Sequence, residues 1–467
     1  MSITIGDFDF TPELQVRTRA EYRRNPVDMG GENSGFYTED PWAIMERARI
    51  GLTADRGPLR AKVTLQDARV WGSTPPTATF GTDSYSSTGV YEAFIEIHTT
   101  NVPAPSAANN VTTNAPEPQY IRVGRQSIVW DGGRLLGNAD FSPVARTLDA
   151  VRGHVNYKSL DFEAFGAILD EAQPIGIGFG DPTGPYSGGS QLYGALASLT
   201  LDPLFRAQLY GLFRPKTGAQ TTDTLVASSF GISRALGDNW TMALGVGGDS
   251  KGWKYGVTGA LQLGRIDELD MDRLAYAVVG DASRRFDGIL LTPTVKIGAA
   301  YASGADSSAT QYHQFDPLYP DVQVNHGLLG AFAWSNMFDV HGAVSVVPMT
   351  DLHVTAEYRY ARMASSVGDW VDTYLVRTAS GPCAVSTCNG NQSLDLGHEV
   401  DLVVSYRPWP ALDISAGYAL LILGDGAKQM LVNEQRGSVN SSGTFVPPDL
   451  SHYAFLQLTL NVPAKAP

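Results

Sequence analysis

The sequence has no long hydrophobic run, and this absence excludes a helical membrane protein. No window of the 467 residues approaches 18 consecutive apolar residues, which is about the length that a membrane-spanning helix needs. Mean hydropathy is close to zero, at −0.11. Soluble proteins and β-barrels share such a value, because polar and apolar residues balance in both. Hydropathy therefore leaves soluble folds and barrels open.

Signatures of catalysis are also lacking. The sequence contains no Gly-x-Ser-x-Gly elbow, no His-Glu-x-x-His, no Walker loop and no dinucleotide-binding fingerprint. Its eight histidines are scattered. We therefore predict that the chain is not an enzyme, has no catalytic residue and needs no cofactor. A Ser–His pair that meets across neighbouring strands stays open as an alternative, because sequence does not show which strands are neighbours.

Cysteine is scarce, and both cysteines lie in one polar stretch, GPCAVSTCNGNQ. We predict a disulfide between Cys383 and Cys388 if this stretch is an extracellular loop. Two thiols without a nearby histidine fall short of the four ligands that a structural zinc ion takes. We therefore predict no metal site.

Positive charge is in deficit, with 34 Lys and Arg against 48 Asp and Glu. We expect no nucleic-acid partner for a chain of net charge −14. Many of the acids fall in predicted turns and loops, Asp316 and Asp321 among them. We expect these carboxylates to be solvated; an acidic rim that binds divalent cations is the alternative.

Alternation of polar and apolar residues recurs along the chain and predicts β-strands. In residues 15–23 one face reads Gln, Arg, Arg, Glu, Arg and the other Val, Thr, Ala, Tyr; residues 90–98 and 398–407 follow the same pattern. Such a strand separates two different environments. In a soluble sandwich the apolar face would be the core. In a membrane barrel it faces lipid, and the polar face lines the lumen.

Predicted connections alternate in length, and this favours the barrel. Tight turns are predicted at 55–58, 156–161, 201–203, 348–351 and 407–410, and long polar loops at 24–41, 72–88, 131–144, 171–190, 303–333, 364–396 and 425–449. Short turns on one side and long loops on the other are typical of outer-membrane barrels. We therefore predict an all-β fold, a single antiparallel transmembrane β-barrel that spans residues 1–467 as one domain with long extracellular loops.

The strand number follows from parity. A direct count gives about 19 candidates, whereas single-chain bacterial barrels have even numbers. Assigning 225–236 to a loop, and 240–248 and 253–264 to a hairpin, restores the alternation and gives about 18 strands, with about 16 as the fallback. The long connection 101–118 falls on the short-turn side. Aromatic residues near predicted strand ends fit interfacial girdles, namely Trp42, Trp71, Trp130, Tyr157, Trp409 and Tyr418.

Several segments resemble the alginate-export family of outer-membrane porins. They are Arg-Val-Gly-Arg-Gln at 122–126, Arg-Leu-Leu-Gly at 134–137, Arg-Thr-Leu-Asp-Ala-Val-Arg at 146–152, Phe-Asp-Pro-Leu-Tyr-Pro at 315–320, Trp-Ser-Asn-Met-Phe-Asp-Val-His at 334–341 and Gly-His-Glu-Val-Asp-Leu at 397–402. The resemblance implies a barrel in the bacterial outer membrane. Export to that membrane implies a signal peptide, which we expect to have been removed.

The predicted lumen-facing cations are the candidate substrate pathway: Arg17, Arg19, Arg47, Arg49, Lys62, Arg122, Arg125, Arg146, Arg152, Arg359 and Arg407. Cations in a narrow channel attract anions, and a guanidinium binds a carboxylate with two parallel hydrogen bonds. The resemblance implies the same kind of pathway. Inward-facing acids could instead pair with these cations as a mixed-charge wall. Arg122 and Arg125 have opposite parity, so both reach the lumen only with a bulge between them.

These observations lead to two hypotheses. In the first, the chain is an outer-membrane channel for passive passage of an anionic saccharide polymer, or of related small anions. In the alternative, loops plug the barrel, which binds a partner and does not conduct. The long loops 303–333 and 364–396 motivate the alternative. Expected partners are outer-membrane lipid, an anionic polysaccharide and a periplasmic protein.

Overall fold

The structure is a computed structural model. It describes residues 3–24, 42–72, 87–100, 119–169, 190–202, 204–215, 237–266, 270–306, 310–321, 323, 325–372, 377–380, 392–433, 438–439 and 445–462. Cys383 and Cys388, and the segments 101–118 and 225–236, lie outside the described residues.

Eighteen antiparallel strands form a closed barrel in chain order, which confirms the predicted fold and strand number. The barrel closes where the first strand pairs with the last, with Leu14 opposite Val462 and Arg24 opposite His452. The strands are β1 (Phe8–Arg24), β2 (Trp42–Arg56), β3 (Leu59–Gly72), β4 (Ser87–His98), β5 (Tyr120–Gln126), β6 (Leu148–Tyr157), β7 (Leu160–Leu169), β8 (Ser190–Asp202), β9 (Phe205–Arg214), β10 (Asp238–Ser250), β11 (Trp253–Ile266), β12 (Met271–Arg285), β13 (Thr294–Ala302), β14 (Met337–Met349), β15 (Leu352–Met363), β16 (Asp395–Trp409), β17 (Leu412–Leu423) and β18 (Leu450–Val462).

Short elements accompany the barrel. Ile3–Ile5 pairs with the start of β1, and Gln311–Tyr312 runs parallel to β12. The others are the paired strands Asp369–Val371 and Arg377–Ser380, the pair Ser438–Val439 and Phe445–Val446, a 3-10 helix at Asp131–Gly133 and helix α1 at Asp425–Asn433. In the part of the chain that the structure describes, no helix has the length and apolarity to cross a membrane.

The tight turns lie at one end of the barrel, as predicted. Strands β10 and β11 form the predicted hairpin, joined by Lys251 and Gly252, whose φ angles are 50° and 82°. Two consecutive positive φ angles give a turn whose twist matches that of the strands. Short turns of this kind mark the periplasmic end of outer-membrane barrels.

Large apolar side chains cover the outer face. Ile50, Leu65 and Ile95 are 64%, 55% and 59% exposed, values expected where lipid rather than water surrounds a barrel. Aromatic side chains at strand ends are also exposed, namely Trp42, Trp71, Tyr157 and Trp409, whereas the exposed Tyr418 lies in the middle of β17. Trp130 differs from the prediction, because it is buried inside the barrel at 3% exposure and packs on Phe165.

The apolar core lies inside the barrel. Two segments fold into the lumen: the first inner segment, residues 127–147, and the second inner segment, residues 310–321 and 325–336. The predictions that 131–144 and 303–333 are extracellular excursions are therefore wrong for these residues. Their buried apolar residues explain why, since side chains such as Leu135, Leu136, Phe315 and Phe332 gain stability from burial.

A charge placed on the outer face at mid-height is expected to destabilise the barrel. Leu244, in the middle of β10, is 53% exposed. Leu244→Arg should lower the free energy of unfolding in liposomes by about 2–4 kcal/mol, because the guanidinium would sit in hydrocarbon. Leu201→Arg, at the periplasmic end of β8, is the control and should cost about 0–1 kcal/mol. Equal losses at the two positions would contradict a lipid-facing outer surface.

Candidate functional site

Four arginines on β1 and β2 form a cluster on the inner wall. Arg17 lies directly opposite Arg47 in the strand pairing, and Arg19 and Arg49 are two residues away on the same faces. Arg17, Arg19 and Arg47 are 5%, 2% and 2% exposed. Like charges opposite one another repel, so this arrangement requires groups that compensate it. We call Arg17, Arg19, Arg47 and Arg49 the arginine cluster.

Asp140, on the first inner segment, is the acid that meets three members of the cluster. Its carboxylate lies 3.0 Å from Arg47 Nη1, 3.1 Å from Arg49 Nη1 and 3.9 Å from Arg17 Nη1. Burial favours the neutral acid, but Arg47, Arg49 and Arg17 outweigh it and hold the pKa of Asp140 at about 2. Asp140 is therefore a carboxylate at any physiological pH.

Backbone carbonyl groups of the same segment accept further hydrogen bonds from the cluster. Arg17 donates to the carbonyl oxygens of Asp140 at 2.6 Å and Ser142 at 2.8 Å. Arg19 donates to the carbonyl oxygen of Phe141 at 2.5 Å, and its guanidinium lies 3.9 Å from the Phe141 ring centre. These contacts fix the first inner segment against β1 and β2.

The carboxylates nearest to the cluster do not match its charge. Glu21 pairs with Arg19 at 2.6 Å and with Arg23 at 3.7 Å. Asp140 is the shared acidic partner of Arg17, Arg47 and Arg49. The cluster and these two acids therefore carry an excess of positive charge.

Asp321, on the second inner segment, holds the backbone beside Asp140. Its carboxylate accepts a hydrogen bond from the Ala139 amide, and its amide donates to the Gly133 carbonyl at 2.8 Å. Burial raises the pKa of Asp321. Arg146 bridges the same two segments by donating to the carbonyl oxygens of Gly137 at 3.1 Å and Tyr319 at 2.9 Å. The two inner segments thus position Asp140 as one unit.

A bulge in β4 adds an aromatic ring to the cluster. The pairing of β3 with β4 shifts between Thr64 and Leu65, so that Thr64 lies opposite Glu92 and Leu65 opposite Val90. The extra residue, Tyr91, stacks on Arg49 with 3.5 Å between the guanidinium and the ring centre. Simple alternation assigns Tyr91 to the outer face, and the bulge corrects that assignment.

Other predicted pathway cations have acidic partners on the barrel wall. Lys62 lies 3.0 Å from Glu92 and 3.2 Å from Glu13. The arginine pairs are Arg122 with Glu96, Arg152 with Glu163 at 2.5 Å, Arg359 with Asp339 and Glu357 at 2.7 Å each, and Arg407 with Asp413 at 2.6 Å. These pairs correspond to the mixed-charge wall.

The prediction that Arg125 lines the pathway is wrong, because this residue lies on the outer face of the barrel. It has the parity of Ile121 and Val123, which are 59% and 51% exposed on the outer face, and it pairs with Asp149 at 2.7 Å. The pairing of β5 with β6 is continuous through Arg125. Without a bulge, Arg122 and Arg125 point to opposite sides of the sheet.

Asp316 also differs from its prediction. It is 1% exposed rather than solvated, and its carboxylate lies 2.8 Å from Arg214 Nη2, inside the barrel. Asn239 and Gln262 make further hydrogen bonds with this residue. Asp316 therefore anchors the second inner segment to β9, β10 and β11.

A cavity of about 410 Å³ opens below the arginine cluster. Arg17, Arg47 and Asp140 lie at its inner end, whereas Asp351 and Arg407 adjoin the tight turns. Polar side chains complete the lining, among them Gln15, His353, Ser405, Asp413, Gln457 and Thr459. Within the described ranges, no group of three or more His, Cys, Asp or Glu side chains is placed to hold a metal ion.

Sequence reasoning missed Asp140 and the closeness of the four arginines. Alternation assigned the arginines to the lumen. The acid that three of them share, however, comes from a distant part of the sequence: Asp140 contacts Arg17 although more than a hundred residues separate the two. One local signal was available, since Asp140 immediately precedes Phe141 in a segment that is rich in apolar residues.

Comparison with known proteins identifies the relatives of this barrel. The alginate export family model matches residues 10–437, and no curated protein matches the chain. Similar solved structures from Pseudomonas aeruginosa include OpdO (12% identity, TM-score 0.56, 97% of each chain covered) and the outer membrane protein opdK (11%, 0.55, 97% of this chain and 98% of that one). OpdL has 10% identity and a TM-score of 0.56, with 97% and 99% covered. At such identities the likeness shows the fold alone.

Proposed function

The chain belongs to the alginate export family and is a channel of the bacterial outer membrane, and from this premise we propose that it passes an anionic saccharide polymer by passive diffusion. The arginine cluster is the selective element of this proposal. Its positive charge attracts the carboxylates of uronate residues, and each guanidinium can bind a carboxylate with two hydrogen bonds. Neutral sugars lack that charge.

The observation that carries the proposal is the unequal charge at the inner end of the cavity. Arg17, Arg47 and Arg49 share one carboxylate, that of Asp140. The paired cations elsewhere, such as Arg152 with Glu163, are balanced locally. A permeating anion therefore meets uncompensated positive charge at the cluster, and there the low-dielectric surroundings strengthen the attraction.

The distribution of the apolar core supports a pathway along one side of the lumen. Core residues lie on every strand from β6 to β18, where the inner segments cover the wall. Strands β1–β4 instead point charged and amide groups inward, among them Arg17, Arg47, Lys62 and Gln66. We place the pathway between these four strands and the first inner segment, with the 410 Å³ cavity as its periplasmic entrance.

Block of single-channel current by saccharides tests the proposal. Short oligomers of a hexuronate, added on the cavity side, should interrupt the current at concentrations at least about tenfold lower than neutral glucose oligomers of equal length, since each uronate adds charge–charge attraction. In the variant Arg17→Gln, Arg47→Gln this difference should disappear. The control Arg69→Gln, Arg265→Gln removes two guanidiniums from the outer face and should keep it. Equal block by charged and neutral oligomers in the native protein would refute the proposal.

A closed barrel is the second candidate, and the inner segments favour it. The second inner segment and helix α1 contribute buried residues such as Phe332, Trp334 and Met430 to the core inside the barrel. Under this candidate the loops plug the lumen and the protein serves to bind a partner. Absence of current in planar bilayers, for both native protein and a variant with a loosened inner segment, would favour it.

A further inference from the structure

The arginine cluster has the geometry of a carboxylate-binding site whose present occupant belongs to the chain itself. The Asp140 carboxylate lies 3.0 Å from Arg47 Nη1 and 3.1 Å from Arg49 Nη1, distances close to those of charge-assisted hydrogen bonds. The guanidiniums are held from behind, since Arg47 donates to Gln15 at 2.7 Å and Arg49 to Gln66 at 2.7 Å. This support holds Arg47 and Arg49 in place independently of Asp140, whereas Arg17 donates to the carbonyl oxygens of Asp140 and Ser142.

Asp140 leaves some hydrogen-bond donors of the arginine cluster without a partner. Among the described residues, Arg49 Nη2 and Arg47 Nε are buried nitrogen atoms without a hydrogen-bond partner. A buried donor without a partner is costly. One carboxylate shared by three guanidiniums cannot form a two-bond contact with each of them. The site therefore holds donors that Asp140 leaves without a partner, and Asp140 is not bound as firmly as a fully hydrogen-bonded carboxylate would be.

The position of Asp140 lets such an anion reach the site. The Asp140 side chain is 48% exposed, whereas those of Arg17 and Arg47 are 6% and 1% exposed. Asp140 also lines the cavity at its inner end. An anion entering from the cavity meets Asp140 first, and reaches the guanidiniums when that carboxylate moves aside.

We propose that Asp140 is a tethered competitor: it occupies the carboxylate site formed by Arg17, Arg47 and Arg49, and a uronate carboxylate displaces it during passage. This inference rests on the proposed function and adds a defined binding step to it. Replacement of one carboxylate by another leaves the charge at the cluster unchanged. Binding is therefore kept weak and reversible, which a channel needs if its substrate is to leave again.

The backbone around Asp140 is arranged so that the displacement stays local. Ala139 has a φ of 49°, a conformation that side chains other than glycine adopt at a cost. It is kept there by the bond from its amide to Asp321. The Ser142 amide donates to Ala139 at 2.9 Å, and the Arg146 amide donates to Asn138 at 2.6 Å. Asp140 thus leaves the site by side-chain rotation and a small shift of residues 139–142, which loosens the hydrogen bonds of the Ala139, Ser142 and Arg146 amides without moving the rest of the segment.

The test is the affinity of a hexuronate trimer for Asp140→Asn, measured from block of single-channel current. Asparagine keeps the size of the side chain and removes the competing charge. We expect the blocking constant to fall about tenfold relative to the native channel. The control Asp67→Asn removes a carboxylate that pairs with Arg69 on the outer face, away from the cluster and the cavity, and it should change the constant by less than about twofold. An unchanged constant in Asp140→Asn, with native block intact, overturns the tethered competitor and leaves the proposed function standing. If the native channel itself shows no preference for the hexuronate trimer over a neutral trimer, the proposed function is refuted.

A second measurement uses the native protein and does not depend on how the variant folds. Hydrogen exchange of the amides in residues 139–146 should become several-fold faster when the trimer is added, because the shift that displaces Asp140 loosens the hydrogen bonds of the Ala139, Ser142 and Arg146 amides. Amides of β10 should be unaffected. Exchange in 139–146 that stays the same or slows in the presence of the trimer shows binding beside Asp140 rather than in its place, and contradicts the proposal.

Discussion

Neutralising Arg17 and Arg47 together is expected to abolish the anion preference of the channel. Three guanidiniums and one carboxylate meet at this point of the lumen, and the double variant Arg17→Gln, Arg47→Gln leaves Arg49 with Asp140. A unit charge about 8 Å from a permeating ion contributes roughly 2 kcal/mol at an effective dielectric constant near 20. Removing two charges should therefore lower the anion-to-cation permeability ratio about tenfold or more.

The measurement is the reversal potential in a salt gradient, at ionic strength of about 0.1 M or below so that screening does not hide the effect. The variant Arg69→Gln, Arg265→Gln has the same change in formal charge but alters the outer face, where both arginines pair with exposed acids. Its reversal potential should match that of the native channel. If the two double variants shift the potential equally, selectivity arises from overall charge and not from the cluster.

Removing the anchor of the second inner segment is expected to cause the largest loss of stability. Asp316 is the buried partner of Arg214, at 2.8 Å, and both side chains are less than 5% exposed. Asp316→Ala leaves the Arg214 charge buried without this partner, a change that costs about 3–5 kcal/mol. The free energy of unfolding in urea should fall by that amount, and channel conductance should rise because the segment packs less tightly in the lumen.

Two further variants show whether the charge causes this loss. Asp316→Asn preserves the volume and some hydrogen bonds, so the loss should be smaller than for Asp316→Ala. Asp413→Ala removes a half-buried acid that pairs with Arg407 at 2.6 Å, and pairs near solvent contribute about 0–1 kcal/mol. If Asp316→Ala unfolds like the native protein, the anchoring role assigned to Asp316 is wrong.

The barrel was predictable because strands and turns leave local marks in a sequence. Alternation with a period of two reports which face of a strand meets lipid, and it placed Arg17 and Arg47 on the inner side, where they lie. Turn residues such as Lys251 and Gly252 mark a hairpin by themselves. Since single-chain bacterial barrels have even numbers of strands, these local signals were sufficient for the count.

The arrangement within the lumen was not predictable, because it depends on contacts between distant segments. Residues 131–144 have the length of an exposed loop, and only packing against β6–β18 reveals that they fold inward. The bulge that brings Tyr91 onto Arg49 depends on how β4 pairs with β3. The burial of Asp316 depends on Arg214, which is over a hundred residues away. Each of these features is a property of the closed barrel rather than of its strands.

The most direct test of the account is the reversal potential of the native channel in a planar bilayer under a gradient of potassium chloride. An excess of positive charge at the arginine cluster predicts a potential displaced towards that of chloride. A potential displaced towards that of potassium would contradict the account, because the paired acids, and not Arg17, Arg47 and Arg49, would then control passage.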